Sequence, residues 1–195
     1  MHASSIGQKE TNEASSVTKT DGDEVTTSRC VDKVTPPPFS NMALRGNHLP
    51  DDQPVDGWQI CQFSVLRQAM IEVGVALAGQ GGYHADAKVK ASSIVVDFVT
   101  PESDTSIWYL WGMARNFKAT DKALTATLRE GQGKIFSEDL EMLERQQQNL
   151  LAWPARALLK LKLNLDAGGV QARRVLDRLI AAALAGAPAS PVAAT

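Results

Sequence analysis

The chain has 195 residues, 44% of them apolar, and a formal net charge of −2 at pH 7. That length suits a single domain, and the apolar share is large enough to build a core. The slight negative charge argues against a nucleic-acid-binding protein, which usually presents a basic face. No run of 18 or more apolar residues occurs, so we expect no membrane span. Because the first residues lack the basic start and apolar core of a signal peptide, we expect a cytoplasmic protein.

The N-terminal third of the chain contains a hairpin pattern followed by a long connection. Two β-branched runs flank Asp21-Gly22-Asp23, and an Asp-Gly pair favours a tight turn between two strands. The next segment, residues 34 to 57, is rich in Pro, Asn and Asp and has three prolines at 36 to 38. Such a run of prolines predicts a connection without a helix or a central strand.

The middle of the chain is rich in strand-forming residues separated by short turns. The Gly79-Gln80-Gly81-Gly82 segment and the Pro101-Glu102-Ser103-Asp104 segment are turn sequences. Because short loops join antiparallel neighbours, whereas parallel strands need a long crossover, the pattern predicts an antiparallel meander. The predicted strands are Trp58 to Phe63, Ala69 to Ala76, Ala91 to Thr100, and Ser106 to Ala114.

Helical periodicity begins after residue 117. We predict a helix from Lys122 to Glu130 interrupted at Gly131, a second from Lys134 to Ala152, and a third from Val170 to Ala185. The Ala- and Pro-rich tail, residues 185 to 195, is predicted to be disordered. Strands first and helices last predict an α+β domain.

One carboxylate in the predicted second helix stands out. Phe136, Leu140, Leu143 and Leu150 form an apolar stripe that we expect to face the sheet, and Asp139 lies at the margin of that stripe. A carboxylate turned toward an interior needs a metal or a cationic partner. Helix geometry leaves open whether Asp139 binds a metal, begins the helix or pairs with an arginine.

Histidine and cysteine give no independent metal pattern. His48 and His84 lie in polar or Gly-rich loops and are predicted to be exposed. Cys30 and Cys61 have no Cys-x-x-Cys spacing, so neither a structural zinc site nor an iron–sulphur cluster is indicated, and Cys61 is predicted to be a small core residue.

Long stretches of the chain resemble the catalytic half of Rieske-type non-haem iron aromatic oxygenases, in particular the vanillate O-demethylase oxygenase subunits. The resemblance covers almost everything from residue 1 to about residue 184. The stretches that carry it are MHASSIGQKE, PVDGWQICQF, KASSIVVDFVTPESDTSIWYLWGMARNF, GQGKIFSEDLEMLERQQQNLL and LNLDAGGVQARRVLDRLI.

The resemblance implies a helix-grip fold, in which a curved antiparallel sheet packs on a long C-terminal helix. It also implies a mononuclear Fe(II) site made of two histidines and one carboxylate. In the family the histidines lie in a D-x-x-H-x-x-x-x-H pattern, and His2 corresponds to the second of them. The S-E-D-L-E segment resembles the carboxylate motif and carries the ligand role onto Asp139. The first histidine and the acidic residue that connects to the neighbouring cluster have no counterpart, so the implied site is incomplete.

The resemblance also implies O-demethylation of a methoxylated aromatic acid such as vanillate, with Fe(II) and O₂. Hydroxylation of the methyl group would give a hemiacetal that releases formaldehyde and a phenol. The implied partners are the aromatic acid, a reductase and other subunits of a homotrimer. We expect residues 1–184 to be a catalytic domain without the Rieske domain and its [2Fe–2S] cluster, and therefore inactive alone. The alternative is a non-catalytic helix-grip module for ligand binding or assembly.

Overall fold

The computed structural model describes residue 10 and residues 13–65, 68–152 and 166–186. Six strands and three longer helices follow one another in these ranges, and two short 3₁₀ turns, Gly82–His84 and Ala87–Val89, lie between the fourth and fifth strands. In chain order the elements are β1 (Ser16–Asp21), β2 (Glu24–Val34), α1 (Pro38–Gly46), β3 (Val55–Ser64), β4 (Gln68–Leu77), β5 (Lys90–Pro101), β6 (Ile107–Arg115), α2 (Lys122–Ala152) and α3 (Ala167–Leu184).

The strands form one antiparallel sheet in the order β1-β2-β3-β4-β5-β6. The predicted meander is therefore confirmed. The predicted hairpin is confirmed as well, because Asp21 pairs with Glu24 across a two-residue turn in which Gly22 has a φ of 54°. A positive φ at this position is strained for residues with a side chain, which explains the Asp-Gly signal.

All three helices pack against the same face of the sheet. Directly paired residues of antiparallel strands point to one face, so the register defines a row that runs across five strands. At one end of the row Val25 packs against Val175 of α3, and at the other end Trp111 packs against Phe136 of α2. The row consists of Val25, Phe63, Ala69, Asp97 and Trp111.

Helix α1 closes one end of this face and corrects the prediction that the proline run excludes a helix. The helix begins at Pro38, where the missing N–H is not needed because the first turn has no intrahelical acceptor for it. Leu44 and Phe117 are almost completely buried beside Val55, Val75 and Ala91. This cluster is the largest apolar core among the described residues.

Helix α2 is one continuous helix of 31 residues, so the predicted interruption at Gly131 is wrong. A single glycine costs a helix only about 1 kcal/mol, which packing along the rest of the helix offsets. The predicted sheet-facing stripe is also wrong in part, since Leu140 and Leu143 are 55% and 58% exposed. At 1.5 Å per residue the helix is roughly 46 Å long. Phe136, near its midpoint, packs against β6, and the residues from Leu140 onward are mostly exposed.

The opposite face of the sheet is covered near its centre by the connection between β4 and β5. Trp58 is 3% exposed, packs against Ala76 and Ala85, and meets the Tyr83 ring edge-on at 5.8 Å. Its indole ring crosses Gly74 on the neighbouring strand. Near β6 the same face is open, and Trp108 is 60% exposed.

The α+β class is confirmed by this arrangement of one antiparallel sheet and helices on one face. The domain boundary at residue 184 stays a prediction, although α3 ends at Leu184. The tail from residue 187 onward lies outside the described residues. None of the helices that the structure describes has the length and apolar character needed to cross a membrane.

Candidate metal centre

The structure places one of the two predicted metal ligands. Asp139 lies on α2, immediately before the exposed C-terminal part of the helix that begins at Leu140, and its side chain is half-buried with the Oδ1 oxygen inaccessible to solvent. His2 lies outside the described residues. The exposure predicted for His48 and His84 is confirmed, so neither approaches Asp139 from the protein interior.

Aromatic packing fixes the part of α2 that carries Asp139. Phe136, three residues earlier and therefore on the same side of the helix, meets the Tyr109 ring at 5.4 Å and 89° and the Trp111 ring at 5.4 Å and 64°. Both rings stand on the helix-covered face of β6. Edge-to-face contacts of this kind add about 0.5–1.5 kcal/mol beyond the burial of apolar area.

A second carboxylate lies on the sheet beneath this helix. Asp97 on β5 is 7% exposed, and its Oδ1 accepts a hydrogen bond of 2.8 Å from the Tyr109 hydroxyl. Asp97 pairs with Trp111, and Tyr109 is two residues from Trp111, so the hydrogen bond runs diagonally across the two strands on one face. Tyr109 therefore joins the sheet carboxylate to the helix above it.

The electrostatics of this group favour a neutral tyrosine. Burial raises the pKa of Tyr109 well above its usual value, and the hydrogen bond to Asp97 and the charges of Asp97 and Asp139 raise it further. Burial also raises the pKa of Asp97, and the hydrogen bond from Tyr109 offsets part of that increase. The phenol consequently keeps its proton and acts as a hydrogen-bond donor at neutral pH.

A groove of about 400 Å³ runs between β6 and α2 and includes the Tyr109 side chain at one end. Trp111, Met113 and Leu128 supply apolar walls. Arg129 supplies a cation at the surface of the groove, and within the described residues it forms no ion pair. Arg115, which also lines the groove, uses its guanidinium group to bind the carbonyl oxygens of the turn before α2.

Asp139 fits the carboxylate position of a two-histidine, one-carboxylate iron site. A carboxylate oxygen is a suitable Fe(II) donor, and this one is buried at the inner side of a helix. Across the described ranges no three side chains of His, Cys, Asp and Glu come close enough to hold a metal by themselves. Such a site needs two imidazole ligands, and His2, which lies outside these ranges, is the one that the sequence offers.

The two cysteines cannot bind one metal together. Cys30 is exposed and lies opposite Trp58 on the neighbouring strand, whereas Cys61 is half-buried and lies opposite Thr27. The two thiols therefore point to opposite faces of the sheet. Burial raises the pKa of the Cys61 thiol. Cys61 therefore acts as a small, weakly reactive side chain beneath the helices, close to the core role predicted for it.

The sequence analysis did not identify Asp97 and Tyr109. A signal was available in the run SSIVVDFV, where Asp97 alternates with Val95 and Ser93 and so shares their face of the strand. A carboxylate at a buried position of a strand needs a donor. Only the pairing of β5 with β6 shows that Tyr109 is that donor.

Comparison with known proteins supplies the family. The model of the vanillate O-demethylase oxygenase C-terminal domain matches residues 1–182. The chain belongs to this family. Two vanillate O-demethylase oxygenase subunits from Pseudomonas, strains HR199 and ATCC 19151, are each 63% identical to it, over 99% and 93% of this chain respectively. The family resemblance carried by the long sequence stretches is thus confirmed.

The chain spans about half the length of these relatives, since the two matches cover 54% and 55% of the Pseudomonas proteins. A more distant relative, the toluene-4-sulfonate monooxygenase system iron-sulfur subunit TsaM1 of Comamonas testosteroni, is 34% identical over 65% of this chain and 36% of its own length.

Solved structures support the fold. Dicamba monooxygenase bound to 3,6-dichlorosalicylic acid matches with a TM-score of 0.76 at 21% identity, over 91% of this chain and 50% of that chain. Dicamba monooxygenase with non-haem iron and dicamba matches with a TM-score of 0.74 at 21% identity, over 90% and 52% of the respective chains. At this level of identity the likeness establishes the shared architecture of sheet and helices.

Proposed function

We propose that this chain forms the catalytic domain of a Rieske-type oxygenase that O-demethylates a methoxylated aromatic acid such as vanillate. The observation that carries the proposal is the position of Asp139, which has a buried oxygen on the side of α2 that faces the sheet. The chain also belongs to the family of the vanillate O-demethylase oxygenase C-terminal domain. In the whole protein, a reductase and a [2Fe–2S] cluster would deliver the electrons. The protein is expected to act in the cytoplasm, as a homotrimer.

Fe(II) bound at Asp139 and at histidine ligands would supply the activation of O₂ at this site. The overall reaction inserts one oxygen atom into a C–H bond of the methoxy group and converts the other to water, with two electrons and two protons consumed. The resulting hemiacetal breaks its C–O bond to give formaldehyde and the phenol. The residues of this chain orient the ring, hold Asp139 in place and keep water away from the reacting methyl group.

The groove between β6 and α2 suits a substrate of this class. Its walls of Trp111, Met113 and Leu128 match a flat aromatic ring, and Tyr109 connects the groove to the surroundings of Asp139. The Arg129 guanidinium can pair with the carboxylate of the acid, because it has no ion pair within the described part of the chain. Guanidinium groups bind carboxylates through two parallel hydrogen bonds, which also orients the ring.

The proposal is tested by calorimetric titration of the full chain with vanillate and with vanillyl alcohol, which lacks the carboxylate. We expect Arg129→Gln to weaken vanillate binding about tenfold, as for loss of about 1.4 kcal/mol, and to leave binding of the alcohol unchanged. Arg145→Gln is the matched control, since Arg145 lies on the same helix in an exposed ion pair with Glu141. Equal effects of the two substitutions would exclude Arg129 from substrate binding.

The catalytic assignment is tested on the complete gene product isolated from its source cells and supplied with a reductase and NADH. Formaldehyde and the demethylated phenol should form in equal amounts, and Asp139→Ala should abolish both products. Ligand binding without formaldehyde release in the complete gene product would instead favour the non-catalytic binding module.

A further inference from the structure

The hydroxyl of Tyr109 is hydrogen-bonded to β5, a strand that is paired on both sides. Its hydroxyl donates to Asp97 at 2.8 Å, and Asp97 lies on β5, which pairs with β4 on one side and β6 on the other. Asp97 is 7% exposed, so removing the hydrogen bond would leave a buried carboxylate without this donor. The bond therefore fixes the direction of the Tyr109 ring.

Helix α2 rests on that ring close to Asp139. Phe136 meets Tyr109 at 5.4 Å, and Asp139 follows three residues later on the same side of the helix. The charge of Asp139 also contributes to the raised pKa of Tyr109, after the larger effects of burial and of Asp97. Beyond this point the helix has exposed residues such as Leu140 and Leu143 and little support from the described sheet.

We propose that Tyr109, anchored by Asp97, is a positioning residue that sets where the Asp139 carboxylate meets the metal. The inference rests on the proposed function, because it requires Asp139 to be a metal ligand. Groups that orient metal ligands without touching the metal commonly change metal affinity about 10–100-fold when they are replaced. A slight rotation or sliding of α2 moves a carboxylate away from ideal metal geometry while leaving the fold intact.

The test measures binding of Co(II) alone, as an air-stable probe, to the ¹⁵N-labelled full chain by NMR. The paramagnetic shifts of amide signals near Asp139 give both the location and the dissociation constant. Tyr109→Phe, which retains the ring and removes the hydroxyl, should raise the dissociation constant about tenfold. Asp97→Asn retains an oxygen acceptor for the Tyr109 hydroxyl and should stay within about twofold of the parent chain. Trp108→Phe, on the exposed opposite face of the same strand, is the control and should have no effect.

The outcomes separate this inference from the ligand assignment beneath it. If Asp139→Ala does not weaken Co(II) binding, Asp139 is not a ligand, and both proposals fail. If Asp139→Ala removes binding while Tyr109→Phe behaves like Trp108→Phe, the ligand assignment stands and the positioning role is refuted. Should Tyr109→Phe not fold, Asp97→Ala removes the anchor instead and is expected to raise the dissociation constant similarly; unchanged binding in that variant would also refute the role.

Discussion

The contact between Trp58 and Gly74 makes a sharp prediction about the sheet. A Cβ atom at position 74 would lie 2.3 Å from Cζ2 and 2.7 Å from Cε2 of Trp58, and 2.8 Å from Cβ of Ser92. Carbon atoms at optimal contact are about 3.5–4.0 Å apart. Trp58 is 3% exposed and is enclosed by Ala76 and Ala85, so the indole has little room to retreat. Gly74→Ala must therefore displace the ring or bend β4.

Overpacking a core usually costs about 1–3 kcal/mol. We expect Gly74→Ala to reach the upper end, about 3 kcal/mol, because side-chain atoms on both neighbouring strands obstruct the new methyl group. For a chain of this size each 1 kcal/mol lowers Tm by about 2–4 °C, which gives a decrease of about 6–12 °C. Urea unfolding followed by tryptophan fluorescence measures the loss, and displacement of Trp58 should also shift its emission to longer wavelength.

Gly112→Ala is the matched control. Gly112 is also a strand glycine on the same face, but a Cβ there would meet nothing within 4 Å. The added methyl group restricts the unfolded chain, so the variant should be as stable as the parent chain or slightly more stable. If the unfolding free energies of the two alanine variants agreed within about 0.5 kcal/mol, the packing of Trp58 across Gly74 would be refuted.

Three further predictions concern the core, the helix face and pH. Leu44→Ala, at a completely buried site, should lower the unfolding free energy by about 2–5 kcal/mol in urea titrations, and a smaller loss would show that the α1 core is loosely packed. Leu143→Asp should leave Tm almost unchanged while Val175→Asp abolishes cooperative melting, because only Val175 is buried; a large effect at position 143 would mean that the second half of α2 is covered. Burial raises the pKa of Asp97 above its ordinary value of 3.8, so the folded state holds the carboxyl proton more tightly than the unfolded state does. This contribution to stability is complete below pH 3.8 and is lost as the pH rises through the raised pKa. Asp97→Asn should therefore gain stability relative to the parent between pH 3 and pH 7 in thermal melts, and a constant difference would contradict the raised pKa.

The sequence alone determined the architecture of the sheet. Alternating β-branched segments, the Asp21-Gly22 turn and short Gly- and Pro-rich loops predict an antiparallel meander, because each of these signals acts between residues that are close in the chain. The order of strands and helices then predicts the α+β class. Long stretches of family resemblance also indicated Asp139, which helix periodicity had placed near the interior.

Tertiary structure decided the features that depend on which elements meet. Periodicity placed Leu140 and Leu143 on the same side as Phe136, but only the meeting of α2 with β6 shows that the sheet ends before those leucines are covered. The helix that starts at Pro38 similarly depends on burial of its apolar side against the sheet, because a proline is tolerated in the first turn but does not by itself specify a helix.

The residues around Asp139 could not be predicted from the sequence either, because they too depend on which elements meet. Asp97 and Tyr109 are 12 positions apart, and their hydrogen bond exists because the β5–β6 register places them diagonally on one face. Local patterns specify which way a side chain points within its own element. Pairing and packing between elements decide what that side chain meets. Here they place Tyr109 between Asp97 of the sheet and Phe136 of α2, three residues before Asp139.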